Sequence, residues 1–132
     1  MLNEKKAGPV LVKGLKSNSN WIKWEALSAI KSLKYKPAIN SVCALCLDKK
    51  STELKREGAL TLGAIGTPKA MKTLKILMDD PDPQVRWRAV MAFTKNARSI
   101  DISFLQRNLK KEKEKVVKEQ LKTGINLLKN RS

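Results

Sequence analysis

Histidine is absent from the 132 residues. That removes imidazole acid–base catalysis, Ser–His and Cys–His nucleophile pairs, and every histidine-containing metal site. The two cysteines have no framework of others around them, which excludes a disulfide scaffold and fits a reducing, cytoplasmic setting. No window reaches the roughly 18 apolar residues of a membrane span. The opening "MLNEKKAGPVLVKG" lacks a long apolar run and a small-residue cleavage pattern, so no signal peptide is expected. There is no P-loop, dinucleotide fingerprint or nucleophile elbow, and strand alternation is missing throughout. Acid is scarce: 12 Asp and Glu stand against 28 Lys and Arg, a formal charge of +16.

What is present is repetition. The segments "IKWEALSAIKSL" from Ile22, "LKREGALTLGAI" from Leu54, "VRWRAVMAFTKN" from Val85 and "VKEQLKTGINLL" from Val117 begin 31 or 32 residues apart. Each reads apolar, basic, variable, polar, then small or apolar, with further apolar or small residues seven and eight places after the first. Each has a predecessor: "PAINSVCALCLD" from Pro37 and "PKAMKTLKILMD" from Pro68 align at an offset of 31, with "GPVLVKGLK" and "ISFLQRNLK" in the outer copies. Ser19, Ser51 and Asp82 fall at equivalent N-cap places, with Glu114 in the fourth slot; Pro37 and Pro68 suit a first helical turn and Gly66 a helix end. The periodicity predicts an all-α, single-domain α-solenoid of about four helical hairpins sharing one core. The units span approximately 1–35, 36–66, 67–98 and 99–132.

The stretch "DDPDPQVRWRAVMAF" within this pattern resembles the loop and second helix of HEAT-like, armadillo-type repeats, specifically the short phycobilisome-lyase type. The resemblance extends over nearly the whole chain, is best in the third unit, fair in the second and degenerate in the first and fourth. It implies that the second helix of each hairpin lines a concave face. It identifies a fold and leaves function open, since such repeats serve scaffolds, lyase subunits and DNA-repair proteins alike.

At helical spacing, Val85, Ala89, Ala92 and Phe93 form one apolar side, and Trp87 lies nearly opposite it. Its place holds Trp24, Arg56 and Glu119 in the sister units, so Trp24 and Trp87 are expected on the surface. The expected concave row reads Trp24, Ser28, Lys31; Arg56, Leu60, Gly63; Trp87, Met91, Thr94; Glu119, Thr123, Asn126. Trp21, aligned with Glu53 and Gln84, is not counted as a site residue. Exposed tryptophan and arginine are the residue types that dominate interfaces.

One place is basic in every unit and is expected to border the exposed row rather than the core: Lys23, Lys55, Arg86 and Lys118. The resemblance implies a structural role for such a residue, bonding to loop acids of an adjoining repeat. Acids are offered by Asp79, Asp80 and Asp82 around the third unit, so pairing is expected for Arg86 and less for the lysines. Spaced cations on a curved scaffold suit a phosphate backbone or an acidic protein. The candidate partner-binding residues are Lys23, Trp24, Lys31, Lys55, Arg56, Arg86, Trp87, Arg88 and Lys118. No sequence-specific base reader, cofactor site or metal site is expected.

Cys43 and Cys46 form a C-x-x-C, yet their equivalents are Leu11, Leu74, Gly14 and Leu77, so both are expected in the core. The leading expectation is a non-enzymatic scaffold holding an acidic protein or a nucleic-acid backbone. Two alternatives follow from the resemblance: a DNA-alkylation-repair-like glycosylase, in which Glu25 or Glu119 would serve, and a bilin-lyase-type subunit. The C-terminal run "LKKEKEKVVKEQLKTGINLLKNRS" alternates in charge and keeps Val117, Leu121, Ile125 and Leu128 on one face, as a last helix capping the solenoid would.

Overall fold

A computed structural model describes residues 4–131, with side chains placed from Ala7 onward. The outermost residues of the expected first and last units, 1–3 and 132, lie outside the described residues. The chain forms α1 (Glu4–Gly14), α2 (Asn20–Leu33), α3 (Ile39–Leu47), α4 (Thr52–Ile65), α5 (Pro68–Leu77), α6 (Pro83–Asn96), α7 (Ile102–Lys111) and α8 (Lys115–Lys129). No strand occurs among the described residues. The all-α repeat solenoid read from the periodicity is the observed architecture.

The helix boundaries follow local chemistry. Ser19 Oγ accepts from the Ile22 N–H at 3.3 Å, Ser51 Oγ from Leu54 at 3.3 Å, and Asp82 Oδ2 from Val85 at 2.9 Å. Each satisfies one of the donors a helix start leaves unpaired. Glu114 occupies the fourth cap without a side-chain bond; Glu112 Oε2 instead accepts from the Lys113 and Glu114 N–H groups. Pro68 is in the first turn of α5, capped by Thr67, whereas Pro37 opens a separate 3-10 turn, Lys36–Ala38, ahead of α3. Gly66 ends α4 at φ 66°, the left-handed geometry glycine adopts without strain.

The second helices form one layer: α2 packs on α4, α4 on α6 and α6 on α8. Of the first helices, α3 and α5 pack on each other and the remaining neighbours meet at most marginally. The core between the layers is continuous, through Leu27, Ile30, Val42, Leu62, Leu74, Val85, Phe93, Leu105, Val117, Leu121 and Leu128. Small residues set the spacing of the second-helix layer. A β-carbon on Gly63 would lie 2.6 Å from the Ala92 β-carbon, and one on Gly124 would lie 2.7 Å from Thr94 Oγ1. Two expected surface positions, Gly63 and Thr94, are therefore buried at helix crossings. The periodicity gives their side of the helix, but the close approach of the neighbouring helix covers it.

Cys43 and Cys46 are buried free thiols in α3, in the core as their alignment with apolar residues predicts. The Thr73 hydroxyl donates to Cys43 Sγ at 3.2 Å. Burial pushes the Cys46 thiol far above its ordinary range, so it stays protonated and unreactive.

Candidate partner-binding face

Of the nine candidate residues on the second-helix layer, Trp24 is exposed, Lys55 is buried and the other seven are half-buried. Trp24 is 37% exposed and stacks on Trp21, ring centroids 5.9 Å apart and planes 12° from parallel; Trp21 itself is 68% exposed. Trp87 departs from its expected surface placement: it is half-buried and packs against the core edge, with the Arg88 guanidinium 5.9 Å from its ring centroid. Arg88 also donates to Gln84 Oε1 at 3.1 Å. A large ring on a helix flanked by neighbours on both sides cannot stand clear of the next unit, even where its own helix turns it outward.

Two members of the basic column, Lys55 and Arg86, join Arg56 and Lys31 in a ladder of ion pairs, each running forward to the next unit. Lys55 Nζ meets Asp80 Oδ1 at 2.7 Å, and both side chains are about nine-tenths buried. Arg56 grips Asp82 through two bonds, 2.9 and 3.0 Å. Arg86 grips Glu112 likewise at 2.9 and 3.0 Å, and adds bonds to the Asp80 and Pro81 carbonyls. Lys31 meets Glu57 at 2.8 Å. Lys55, expected to border the exposed row, is buried instead, and Asp80 and Asp82 serve Lys55 and Arg56 rather than Arg86. The reason is directional: the side chains at the start of a second helix reach forward to the loop that precedes the next one. The signal was in the sequence as a constant offset, since the four pairs are separated by 25 or 26 residues.

These pairs move proton affinities. The Arg56 bond holds the Asp82 carboxyl below its ordinary range against the opposing effect of burial. Burial works to raise the Glu112 carboxyl, and it is outweighed by the Arg86 guanidinium and the N–H groups of Glu114 and Lys113, which leave it lowered. Arg56 and Arg86 are correspondingly raised by their carboxylate partners. The guanidinium–carboxylate bonds are two-pronged, the geometry that resists substitution by lysine.

The ladder stops at both ends. Lys23 and Lys118 are half-buried and form no ion pair among the described residues. Asp48 stands where Lys23 would meet it by the same offset, but its carboxylate accepts the Lys50 N–H at 3.0 Å. Glu25 and Glu119 are exposed; Glu119 has Lys122 at 3.7 Å. Among the described residues no group of three or more metal-ligating side chains comes together.

Between α2, α4 and α6 the same face holds a groove of about 300 Å³ lined by Lys31, Leu60, Gly63, Ala64, Met91, Ala92 and Lys95. Alignment had placed Lys31, Leu60, Gly63 and Met91 in one row without indicating a depression. Lys95, at the rim, was not among the candidates; its position one place after the row, in the last turn of α6, was the available signal.

A family model described as HEAT repeats matches residues 39–125. Among solved structures, the crystal structure of an engineered protein superimposes with a TM-score of 0.62 at 20% identity, covering 91% of this chain and 61% of that one. The chain thus spans about three fifths of that protein's length, and at this identity the likeness concerns the fold. No curated protein matches the chain. No helix among the described residues is long and apolar enough to cross a membrane.

Proposed function

The chain belongs to the HEAT-repeat family, and on that premise we propose that it is a non-enzymatic scaffold whose second-helix face holds an acidic protein. The observation that carries this reading is the division of the basic column. Lys55 and Arg86 are occupied by internal carboxylates, while half-buried Lys23 and Lys118 form no ion pair among the described residues; nor does exposed Lys95, outside the column on the same layer. The packing of α2, α4, α6 and α8 against one another, closer than that of the first helices, supports a curvature that encloses this layer.

A phosphate backbone is the less fitting anion. With the two central members neutralised, the column no longer presents evenly spaced charge along a path. If only its two ends met phosphates, the salt slope of log affinity would be about −2. An acidic protein surface needs no such regularity and gains from the exposed indoles. Binding of labelled duplex DNA, single-stranded RNA and a glutamate-rich protein, each titrated from low to physiological salt, tests the reading. Retained binding of the acidic protein at physiological salt with loss of both nucleic acids is expected. The opposite ranking would overturn it.

A further inference from the structure

We propose that the groove between α2, α4 and α6 is an anchor pocket for one large apolar side chain of an acidic peptide segment. This rests on the acidic-partner reading and adds to it a place and a side-chain chemistry. The floor is apolar: Leu60 and Met91 are half-buried walls, and Gly63, Ala64 and Ala92 form a base without long side chains. That base is low because α4 and α6 approach too closely for a β-carbon at Gly63. The depression is therefore a product of the same glycine that sets the helix spacing.

The rims are cationic, and no carboxylate lines the groove. Lys31 stands on the α2 side, held in place by Glu57 at 2.8 Å. Lys95 stands on the α6 side, exposed and without an ion pair among the described residues. Glu57, the partner of Lys31, is buried and fixes that ammonium in place. An apolar floor beside one uncommitted ammonium, Lys95, and one already paired with Glu57, Lys31, complements a segment that carries a carboxylate next to a leucine, methionine or phenylalanine. A volume of about 300 Å³ admits one such side chain. Met91 supplies an unbranched, polarizable wall that adjusts to more than one anchor shape.

The probe is a set of fluorescein-labelled, glutamate-rich peptides that differ only in a central Leu, Phe or Ala. They are titrated with the full chain at physiological salt and followed by anisotropy. The apolar anchor should tighten binding about ten- to hundredfold over Ala, the gain expected from burying one such side chain. Met91→Glu should abolish that gain, and Lys95→Glu should weaken the anchored peptide more than Lys72→Glu, an exposed change of equal charge on α5. Labelled methionine methyl groups give a readout independent of any variant's folding: Met91 should shift with the anchored peptide while Met71 and Met78 stay in place. Equal binding of all three peptides, or an unmoved Met91 signal, would overturn the anchor pocket and leave the acidic-partner reading intact. Failure of every acidic peptide to bind even at low salt would overturn both.

Discussion

The seam between the first two helix pairs and the seam between the second and third use equivalent positions but are held differently. In the central seam Lys55 and Arg56 reach Asp80 and Asp82, and Gly63 admits Ala92 to van der Waals range. In the first seam Lys23 reaches no carboxylate among the described residues, and Trp24 stands where Arg56 stands, stacked on Trp21. The loop that follows holds one aspartate, Asp48, whose carboxylate accepts the Lys50 N–H. One position thus serves two purposes. Where the following loop turns a carboxylate towards it, the cation joins the scaffold; where it does not, the site carries an aromatic or an uncommitted lysine.

The strongest way to break the central seam is Ala89→Asp. Ala89 is fully buried, and an unpaired charge there should cost more than about 4 kcal/mol, seen as loss of the cooperative unfolding transition. The equivalent change in the first pair, Ala26→Asp, should cost less, because an end unit can open locally; hydrogen exchange would localise the loss to α1 and α2.

Arg86→Met comes next. It strands the largely buried Glu112 carboxylate and should cost about 3 kcal/mol in urea unfolding, the low end for a broken buried pair. The same pairs give the stability a pH dependence of definite sign. Asp82 and Glu112 have lowered native pKa values, so their contribution is complete above the ordinary carboxylate range and is lost as pH falls through those values. A chain carrying Asp82→Asn and Glu112→Gln should therefore lose less stability than the parent between about pH 5 and about pH 2.

Smaller effects sharpen the contrast. Trp87→Ala should cost about 1–2 kcal/mol, below the roughly 3–5 of a fully buried aromatic, and Trp24→Ala should cost less than about 1 kcal/mol. Thermal unfolding of the two variants checks the order. Gly63→Ala should destabilise by about 1 kcal/mol, the overpacking against Ala92 outweighing the gain in helix propensity.

Helix number, caps and core were legible because they depend on local periodicity and on side chains within a turn. Ser19, Ser51, Asp82 and Gly66 show this, as does the core placement of Cys43 and Cys46. The site was legible in part. Alignment put Trp24, Lys31, Leu60 and Met91 on one layer, yet it could not show that Gly63 and Thr94 are covered at crossings or that Trp87 leans into the core edge. Those outcomes depend on interhelical distance, which a single helix does not encode. Asp79, Asp80 and Asp82 were expected to serve Arg86 because chain proximity guided the reading; the forward reach of long side chains instead gives Asp80 and Asp82 to Lys55 and Arg56 and gives Arg86 to Glu112, while Asp79 meets Lys111.

The central claim is that equivalent cations divide into those the scaffold uses and those it leaves free. Urea unfolding of Lys55→Met and Lys23→Met, measured side by side, tests it most directly. Stranding the buried Asp80 should make the Lys55 variant less stable by about 3 kcal/mol, while the Lys23 variant should stay within about 0.5 kcal/mol of the parent. Equal losses in the two variants would contradict the account.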